Sequence, residues 1–237
     1  MTSHKYNKFK SEIIKLEHLA IIMDGNRRWA KARSLKSHEG HKAGINNAIK
    51  LLKSININNN TKIKYITLYI FAVNNWKRSI SEIKYLFKSI EETYDKFEKL
   101  SLTEKFNISH IGSTKNLPRS IIKIINDVSI RTKKNKGIKI NLAFNYSGRE
   151  EILNAIKLVN INKKKNSKFN KYLYTSKFPD PNLIIRTGGE LRISDFMLWQ
   201  SAYSELYFTK ILWPDFKFNN LRKALLNYKS RSQNYGK

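Results

Sequence analysis

Short apolar runs alternate along this chain with longer segments in which apolar residues recur at every third or fourth position. The short runs have the length and the Ile, Tyr and Phe content of buried strands. The longer segments have the period of helices with one buried face. Strands are predicted at 18–23, 63–72, 106–111, 138–144, 183–186 and 206–209, and helices at 40–57, 79–100, 118–133, 148–159 and 221–229.

This alternation predicts an α/β fold with a mostly parallel central sheet flanked by helices, because neighbouring parallel strands need crossover helices. No internal repeat or linker interrupts the pattern. We therefore expect a single domain over residues 17–237, preceded by a polar, lysine-rich N-terminal segment at 1–16. The stretch 160–171 contains three consecutive lysines and no apolar period, which predicts a solvated loop.

Composition adds a strong charge imbalance to this picture. The 237 residues include 46 Lys and Arg against 18 Asp and Glu, a formal net charge of +28, and no cysteine. The lack of cysteine excludes disulfides, thiolate zinc sites and thiol nucleophiles. The charge has two interpretations: a polyanionic partner, or A/T-rich codons that enrich Lys, Asn and Ile together. The lysines occur in nearly every segment rather than on one face, so no nucleic-acid partner is expected.

The same sequence bears on location. No apolar run approaches the roughly 18 residues of a membrane-spanning helix, and the N-terminus lacks the apolar core of a secretory signal. These features predict a cytoplasmic protein. The positive charge predicts peripheral contact with the anionic inner face of a membrane.

Unusual polar residues follow four of the predicted strands. In parallel α/β sheets, ligands bind beyond the carboxyl ends of the strands, so these loops are the candidate site. They are 24–29 (DGNRRW), 74–78 (NNWKR), 145–149 (NYSGR) and 186–194 (RTGGELRIS).

The first loop combines an acid with phosphate-binding features. Asp24 ends an apolar strand and precedes Gly25 and a predicted helix start. Free N–H groups at a helix start, together with Arg28, suit a phosphate, and a bridging Mg²⁺ would allow a carboxylate beside it. The alternative is that Asp24 only caps the helix.

The last loop offers a second anion site. Arg186, Arg192 and Ser194 place two guanidinium groups and a hydroxyl around glycines that let the backbone approach closely, which suits a diphosphate. The alternative is a flexible surface loop, but Arg is scarce here, with 11 Arg against 35 Lys. Two anion sites, one acid and many apolar residues indicate a two-substrate reaction on hydrophobic diphosphates.

Three further residues have two interpretations each. Asn75 either positions a substrate proton or forms a turn, and His41 either donates to a phosphate or is structural. Glu205 lies in an aromatic setting and either binds a metal or pairs with an arginine.

Five stretches of the sequence resemble the cis-prenyltransferases, and among them the bacterial undecaprenyl diphosphate synthases. The likeness extends from about residue 17 to 231, and its last motif is long and specific. The stretches are 18–31 (HLAIIMDGNRRWAK), 40–44 (GHKAG), 71–79 (FAVNNWKRS), 145–149 (NYSGR) and 184–216 (IIRTGGELRISDFMLWQSAYSELYFTKILWPDF).

The resemblance implies a homodimer in which each α/β subunit has a hydrophobic product tunnel between sheet and helices. It implies sequential cis-condensation of isopentenyl diphosphate onto an allylic diphosphate, farnesyl diphosphate being expected, with Mg²⁺ and release of diphosphate. Asp24 and Asn75 are the implied catalytic residues, and Asp24 and Glu205 the implied metal ligands. The implied substrate-binding residues are Gly25, Asn26, Arg27, Arg28, Trp29, Ser37, His41, Ala72, Val73, Asn74, Trp76, Arg78, Arg186, Arg192, Ile193 and Ser194.

Several positions depart from the family pattern. Arg27 stands where the family usually has Gly, Ser37 replaces a basic residue, and Leu191 replaces a histidine near the metal. Ala72 and Asn74 stand where Ser or Thr and Glu are common. We expect an active enzyme with a reduced rate. The alternative is a non-catalytic family member that serves as a prenyl diphosphate-binding subunit.

Overall fold

The computed structural model describes residues 14–58, 62–162 and 168–231. All six predicted strands are present within two residues of their predicted ends. They are β1 (His18–Ile22), β2 (Tyr65–Ala72), β3 (Asn107–Ile111), β4 (Lys139–Tyr146), β5 (Leu183–Arg186) and β6 (Glu205–Phe208).

The strands form one six-stranded sheet with the order β3-β4-β2-β1-β5-β6, and every neighbouring pair is parallel. The predicted α/β class is therefore confirmed. The chain builds β2, β3 and β4 on one side of β1, and then crosses to the other side for β5 and β6. This change of direction is where α/β sheets bind ligands, and it brings the ends of β1 and β5 together.

The main helices also match the predicted periodicity. They are α1 (Asn26–Lys31), α2 (Ser37–Ile57), α3 (Ile80–Thr103), α4 (Arg119–Thr132), α5 (Gly148–Asn162) and α6 (Phe218–Lys229). Local caps determine where they begin. The hydroxyl of Ser79 accepts a hydrogen bond from the backbone N–H of Glu82 at the start of α3, and Pro118 directly precedes α4.

Two helices begin earlier than predicted. The carboxylate of Glu39 accepts a hydrogen bond from the backbone N–H of Lys36 at 2.9 Å, so α2 starts at Ser37 rather than residue 40. The amide oxygen of Asn220 does the same for the N–H of Lys217, so α6 starts at Phe218. Polar residues extend both helices beyond the apolar period that predicts them.

The sheet separates two apolar layers. Along β1, Leu19 and Ile21 pack into one large cluster, while Ala20 and Ile22 pack into a second, as the two-residue period of a strand requires. Ile14 and Leu16 are also buried in the large cluster, so the described end of the predicted polar segment belongs to the core. Residues 1–13 and residues 163–167 of the predicted loop at 160–171 lie outside the described residues. The described ends of that stretch are not loop: residues 160–162 continue α5, and Phe169–Tyr172 form a short 3-10 helix.

None of the described helices is both long and apolar enough to cross a bilayer.

Candidate active site

The structure joins the first and last predicted loops into one site. Asp24 follows β1 and Arg186 ends β5, and the Arg186 guanidinium donates to the Asp24 carboxylate at 2.9 Å. The other carboxylate oxygen lies 3.2 Å from the guanidinium of Arg28, which is also 3.8 Å from Glu190. The two anion sites predicted from the sequence therefore share a single acid.

Backbone contacts hold Asp24 in place. Its carbonyl accepts hydrogen bonds from the Thr187 hydroxyl at 2.7 Å and from the Trp213 backbone N–H at 3.0 Å. Gly25 turns the chain into α1 with a φ of 111°, and a Cβ there would lie 2.9 Å from the side chain of Leu212. These contacts fix Asp24 at the carboxyl end of β1. Its carboxylate is therefore not needed to cap α1, and no side chain makes a capping hydrogen bond there.

Arg186 is buried although it carries a charge. One of its terminal nitrogens donates to the hydroxyl of Ser194 at 2.7 Å and to the backbone carbonyl of Arg192. Its side chain is only 7% exposed, and its Nε is buried without a partner among the described residues. The side-chain amide oxygen of Asn26, a hydrogen-bond acceptor, is also buried without a partner among the described residues. Buried polar atoms without partners at a cavity mouth are the expected contacts of a polar ligand.

Glu82 contacts a second group of basic side chains near the same carboxyl ends of the strands. Its carboxylate lies 3.1 Å from Arg78, 3.2 Å from Arg27 and 3.4 Å from the His41 ring, and its side chain is largely buried. Arg27 thus extends toward α3. A single carboxylate holds two guanidinium groups that would otherwise repel one another, and it also contacts the His41 ring.

The electrostatics of His41 follow from this crowding. Burial and the nearby charge of Arg78 lower the pKa of His41, and together they outweigh the opposing effect of Glu82. The imidazole is therefore neutral near pH 7, where it can still donate one hydrogen bond.

Asn75 lies in the short 3-10 helix Val73–Lys77 that follows β2. Its side-chain oxygen accepts a hydrogen bond from the backbone N–H of Ala72 at 3.0 Å, so the turn interpretation of Asn75 is correct. Asn75 also lines the cavity, so a role toward substrate stays a prediction. Trp76 donates to the Asn145 side chain at 2.8 Å and packs on Phe71, so it connects the loops after β2 and β4.

Behind these polar groups lies a cavity of about 900 Å³. It lies between the sheet and helices α2, α3 and α4. A bulge in the pairing of β2 with β4 lets both Tyr69 and Ile70 contribute to its wall. Along α2 the lining extends from His41 to Leu52, which is about 16 Å at 1.5 Å per residue. The cavity is therefore polar at the strand ends and apolar in its interior.

The far end of the cavity, which we call the floor, is formed by the last lining residues of the three helices: Leu52, Tyr94, Phe97 and Val128. The floor contains one aromatic hydroxyl, that of Tyr94, and this hydroxyl has a hydrogen-bond partner. Tyr94 donates to the carboxylate of Glu98 at 2.6 Å, and Arg131 holds the other oxygen of Glu98 at 2.7 Å. This relay fixes the Tyr94 ring between α3 and α4.

The predicted site residues fall into three groups. Ten line the cavity: Asp24, Asn26, His41, Ala72, Val73, Asn74, Asn75, Arg78, Arg186 and Ser194. Three line a smaller cleft beside the mouth: Arg27, Arg28 and Ser37. The remaining six line neither space within the described residues, although some of them support residues that do: Gly25, Trp29, Trp76, Arg192, Ile193 and Glu205.

Two members of the third group have structural partners. The indole of Trp29 donates to Asp215 at 2.8 Å, and the guanidinium of Arg33 covers its ring at 4.3 Å. The exposed guanidinium of Arg192 pairs with Glu190 at 2.6 Å, while its backbone carbonyl supports Arg186. In this structure both residues shape the loops of the site rather than its surface.

Glu205 lies away from Asp24 within one chain. It is the first residue of β6 and is level with Leu19 of β1, whereas Asp24 follows the other end of β1. At about 3.3 Å per residue, the two are separated by about 16 Å along the strand direction. Glu205 pairs instead with Arg231. The predicted metal pair is therefore not formed within a single chain, and the arginine interpretation of Glu205 is correct for this structure.

Among the acids at the site, Glu82 and Asp195 were not predicted. Glu82 comes four residues after Arg78 on α3, and this helical spacing for an ion pair could have revealed it. Asp195 follows Ser194 in a turn of positive φ, and its carboxylate accepts hydrogen bonds from the Ser147 hydroxyl at 2.5 Å and the Arg149 N–H at 3.0 Å. It joins the loops after β4 and β5, which are distant in sequence and which no local pattern connects.

The donor set at the mouth fits Mg²⁺ only in a shared site. No group of three His, Cys, Asp or Glu side chains forms a metal site in the described ranges. Asp24 offers one carboxylate, whose oxygens have lone pairs beyond the two guanidinium contacts. Because Mg²⁺ in proteins commonly takes one or two carboxylates together with substrate phosphates, these residues fit an ion held jointly with a diphosphate.

The parallel sheet places guanidinium groups and an acid at the mouth of a deep apolar cavity. This arrangement is typical of proteins that bind amphiphilic ligands with an anionic head group. Comparison with known proteins agrees with this class. A family model described as putative undecaprenyl diphosphate synthase matches residues 22–236. The chain belongs to this family of cis-prenyltransferases.

Relatives support the assignment over nearly the whole chain. An isoprenyl transferase of Treponema denticola is 43% identical, with 93% of this chain and 97% of that protein covered. A chloroplastic nerylneryl diphosphate synthase of Solanum lycopersicum is 42% identical, with 93% and 70% covered. The crystal structure of lavandulyl diphosphate synthase from Lavandula x intermedia in complex with dimethylallyl diphosphate has a TM-score of 0.90, with 32% identity and 95% and 100% covered.

Proposed function

We propose that this enzyme condenses isopentenyl diphosphate repeatedly onto an allylic diphosphate, with farnesyl diphosphate as the starter, and builds a long-chain polyprenyl diphosphate lipid carrier. The prenyltransferase class follows from the family, whereas the substrates and the long product are the proposal. The observation that carries it is the buried Arg186. It is held by Asp24 and Ser194 beside an apolar cavity of about 900 Å³.

The arrangement suits a reaction in which diphosphate leaves. The bond between the allylic carbon and the diphosphate oxygen breaks, a carbon–carbon bond forms to isopentenyl diphosphate, and a proton is lost. Arg28 and Arg78 stabilise the negative charge that develops on the departing group, because they are already held in place by Asp24 and Glu82. Arg186 and Ser194, which line the mouth, bind the isopentenyl diphosphate, and Arg192 supports Arg186 through its backbone carbonyl.

The cavity accounts for the apolar half of both substrates. Its walls, from His41 to Leu52 on α2 and from Leu86 to Phe97 on α3, exclude water from the electron-poor allylic carbon and accept the growing chain. Asn75 is placed at the mouth and helps to position the proton that is lost. We propose Asp24 as the residue that holds Mg²⁺, which would supply charge neutralisation to the leaving diphosphate.

Two contacts beyond the substrates complete the proposal. A homodimer would cover exposed apolar side chains of α5 and of the segment before β6, namely Leu153, Ile156, Trp199 and Tyr203. The edge strand β6 directly follows that segment in the chain. The net charge of +28 supports contact with an anionic membrane surface.

The non-catalytic alternative has no observation in its favour. The residues that depart from the family pattern leave Asp24, Arg28 and Arg186 in contact. Ala72 at the end of β2 and Asn74 in the turn after it still line the cavity.

A product assay tests the proposal. Purified protein receives farnesyl diphosphate, labelled isopentenyl diphosphate and Mg²⁺, and the products are dephosphorylated and sized by chromatography. We expect a labelled long polyprenol that disappears with EDTA and in Asp24→Ala. A folded protein that forms no labelled lipid would contradict the proposal and implicate Arg27, Ser37 and Leu191.

A further inference from the structure

The rim of the cavity mouth exposes large apolar side chains to solvent. Leu35 precedes α2, and Ile80 and Tyr85 lie in the first two turns of α3, with exposed fractions of 38%, 74% and 50%. We call these three residues the rim patch. They take no part in the core, so burial within the chain does not explain them.

The rim patch surrounds the outer side of the Glu82 cluster. Leu35 and Glu82 line the same small cleft beside the mouth. Ile80 and Tyr85 flank Glu82 along α3, and the Tyr85 ring stacks on His38 of α2 at a centroid distance of 4.8 Å. The apolar side chains are therefore close to the arginines of the candidate active site.

Basic residues border the same rim. Five exposed lysines lie on α1, at the start of α2, in the turn after β2 and on α3: Lys31, Lys36, Lys77, Lys84 and Lys88. Exposed aliphatic and aromatic side chains bordered by lysines are typical of surfaces that lie in the headgroup region of an anionic bilayer.

We propose that the rim patch docks this protein on an anionic lipid bilayer, with Ile80 and Tyr85 inserted among the headgroups and the lysines facing lipid phosphates. The inference rests on the proposed function. A prenyl chain whose diphosphate lies at Asp24 and Arg186 leaves the cavity past this rim, and a bilayer in contact with the rim receives it without exposure to water.

The charge argues against a second copy of this chain as the occupant. Two rims that each carry five lysines repel one another, whereas anionic lipids attract both. The apolar surface of α5 and the segment before β6 is a separate region, which is available for self-association.

Vesicle binding without substrate tests the docking surface. Full-length protein is cosedimented with vesicles of phosphatidylglycerol and phosphatidylcholine, and with vesicles of phosphatidylcholine alone. The double variant Ile80→Ser, Tyr85→Ser should bind the anionic vesicles at least ~10-fold more weakly, because two apolar side chains lose their insertion. Lys84→Glu should also weaken binding, and added salt should weaken binding of the natural protein.

Matched controls are available at the opposite ends of the same helices. Ile57→Ser on α2 and Lys99→Glu on α3 change exposed positions far from the mouth, and these variants should bind as the natural protein does. Equal losses in the rim and control variants would overturn the proposal, as would binding that neither salt nor the rim variants change. A change of oligomeric state in the Ile80→Ser, Tyr85→Ser variant would identify a second copy as the occupant and would also overturn it.

The product assay in detergent separates this inference from the proposed function. The rim variants should keep the natural rate there, because they leave the Asp24 and Glu82 contacts intact. A protein that docks through the rim but forms no labelled lipid would retain the docking surface and lose the proposed function.

Discussion

The mouth and the floor of the cavity use polar side chains in opposite ways. At the mouth, Asp24 and Glu82 hold arginines in place, while buried polar atoms of Asn26 and Arg186 remain without partners in the described part of the chain. At the floor, the hydroxyl of Tyr94 is engaged by Glu98 at 2.6 Å and the surrounding surface is apolar. The mouth is thus prepared for a charged ligand, and the floor satisfies its own polar atoms.

Helix α3 contributes to both regions. Its first turn supplies Glu82 to the mouth, and Phe97, fifteen residues later, closes the lining at the floor. The helix therefore determines both where charge is held and how far an apolar chain can extend. The following predictions test this division of roles, beginning with the largest expected effect.

Breaking the pair at the mouth should have the largest effect. We expect Arg186→Lys to lower kcat/KM by ~10²–10³-fold, because lysine cannot hold Asp24 and Ser194 together with the planar geometry of a guanidinium. The measurement is steady-state incorporation of labelled isopentenyl diphosphate. Glu17→Gln is the matched control, since it removes an exposed ion pair with Lys64 at the amino ends of the strands, away from the mouth. Similar losses in both variants would show that the effect is not specific to the mouth.

Opening the floor should change product length with a smaller effect on rate. We expect Tyr94→Ala to shift the product distribution to longer chains, because it removes a ring that limits the cavity, and to lower the free energy of unfolding by ~2–4 kcal/mol. Chromatography of the dephosphorylated products measures the first effect. Tyr94→Phe keeps the ring and should keep the natural length. An unchanged distribution in Tyr94→Ala would show that the floor does not limit the chain.

Loosening the second carboxylate should affect binding more than chemistry. We expect Glu82→Gln to raise KM for the allylic diphosphate by about tenfold, because Arg78, Arg27 and His41 lose a charged hydrogen-bond partner contributing ~1.5–3 kcal/mol. A variant of exposed Glu91 on the same helix, Glu91→Gln, provides the comparison. A lower kcat with an unchanged KM would contradict this positioning role.

Acidification should lower the free energy of unfolding, in part through His41 at the mouth. The pKa of His41 in the folded protein lies below its usual value of 6.5, mainly because of burial. The unfolded chain then binds this proton more readily, so the free energy of unfolding falls as the pH drops below 6.5. Urea unfolding at several pH values measures the slope, which should be smaller in His41→Asn. An equal slope in both proteins would show that His41 does not contribute.

The strands were predictable because both faces of a parallel sheet are buried and leave continuous apolar runs. The run at 183–186 coincides with β5 (Leu183–Arg186). Helix starts were less predictable, since Glu39 and Asn220 extend α2 and α6 through polar caps outside the apolar period. Caps depend on single hydrogen bonds, and periodicity does not report them.

The candidate site was predictable as chemistry but not as geometry. Asp24 and Arg186 are 162 positions apart and were assigned to separate anion sites, although they form one pair. Glu205 belongs to a specific motif, yet it is the first residue of its strand. It therefore lies at the amino ends of the strands, whereas the site lies at their carboxyl ends. Asp195 was missed because its partners Ser147 and Arg149 come from another loop. Glu82 was missed although its spacing from Arg78 is local, because its other partners, Arg27 and His41, come from other helices.

Local periodicity and side-chain chemistry are enough to predict the strands and helices, the α/β class and the residue types gathered after the strands. Which loops meet, which acid holds which arginine and where the cavity ends depend on contacts between distant parts of the chain. The physical reason is the strand order: placing β5 next to β1 joins residues from distant parts of the chain, and no local pattern contains that neighbour relation.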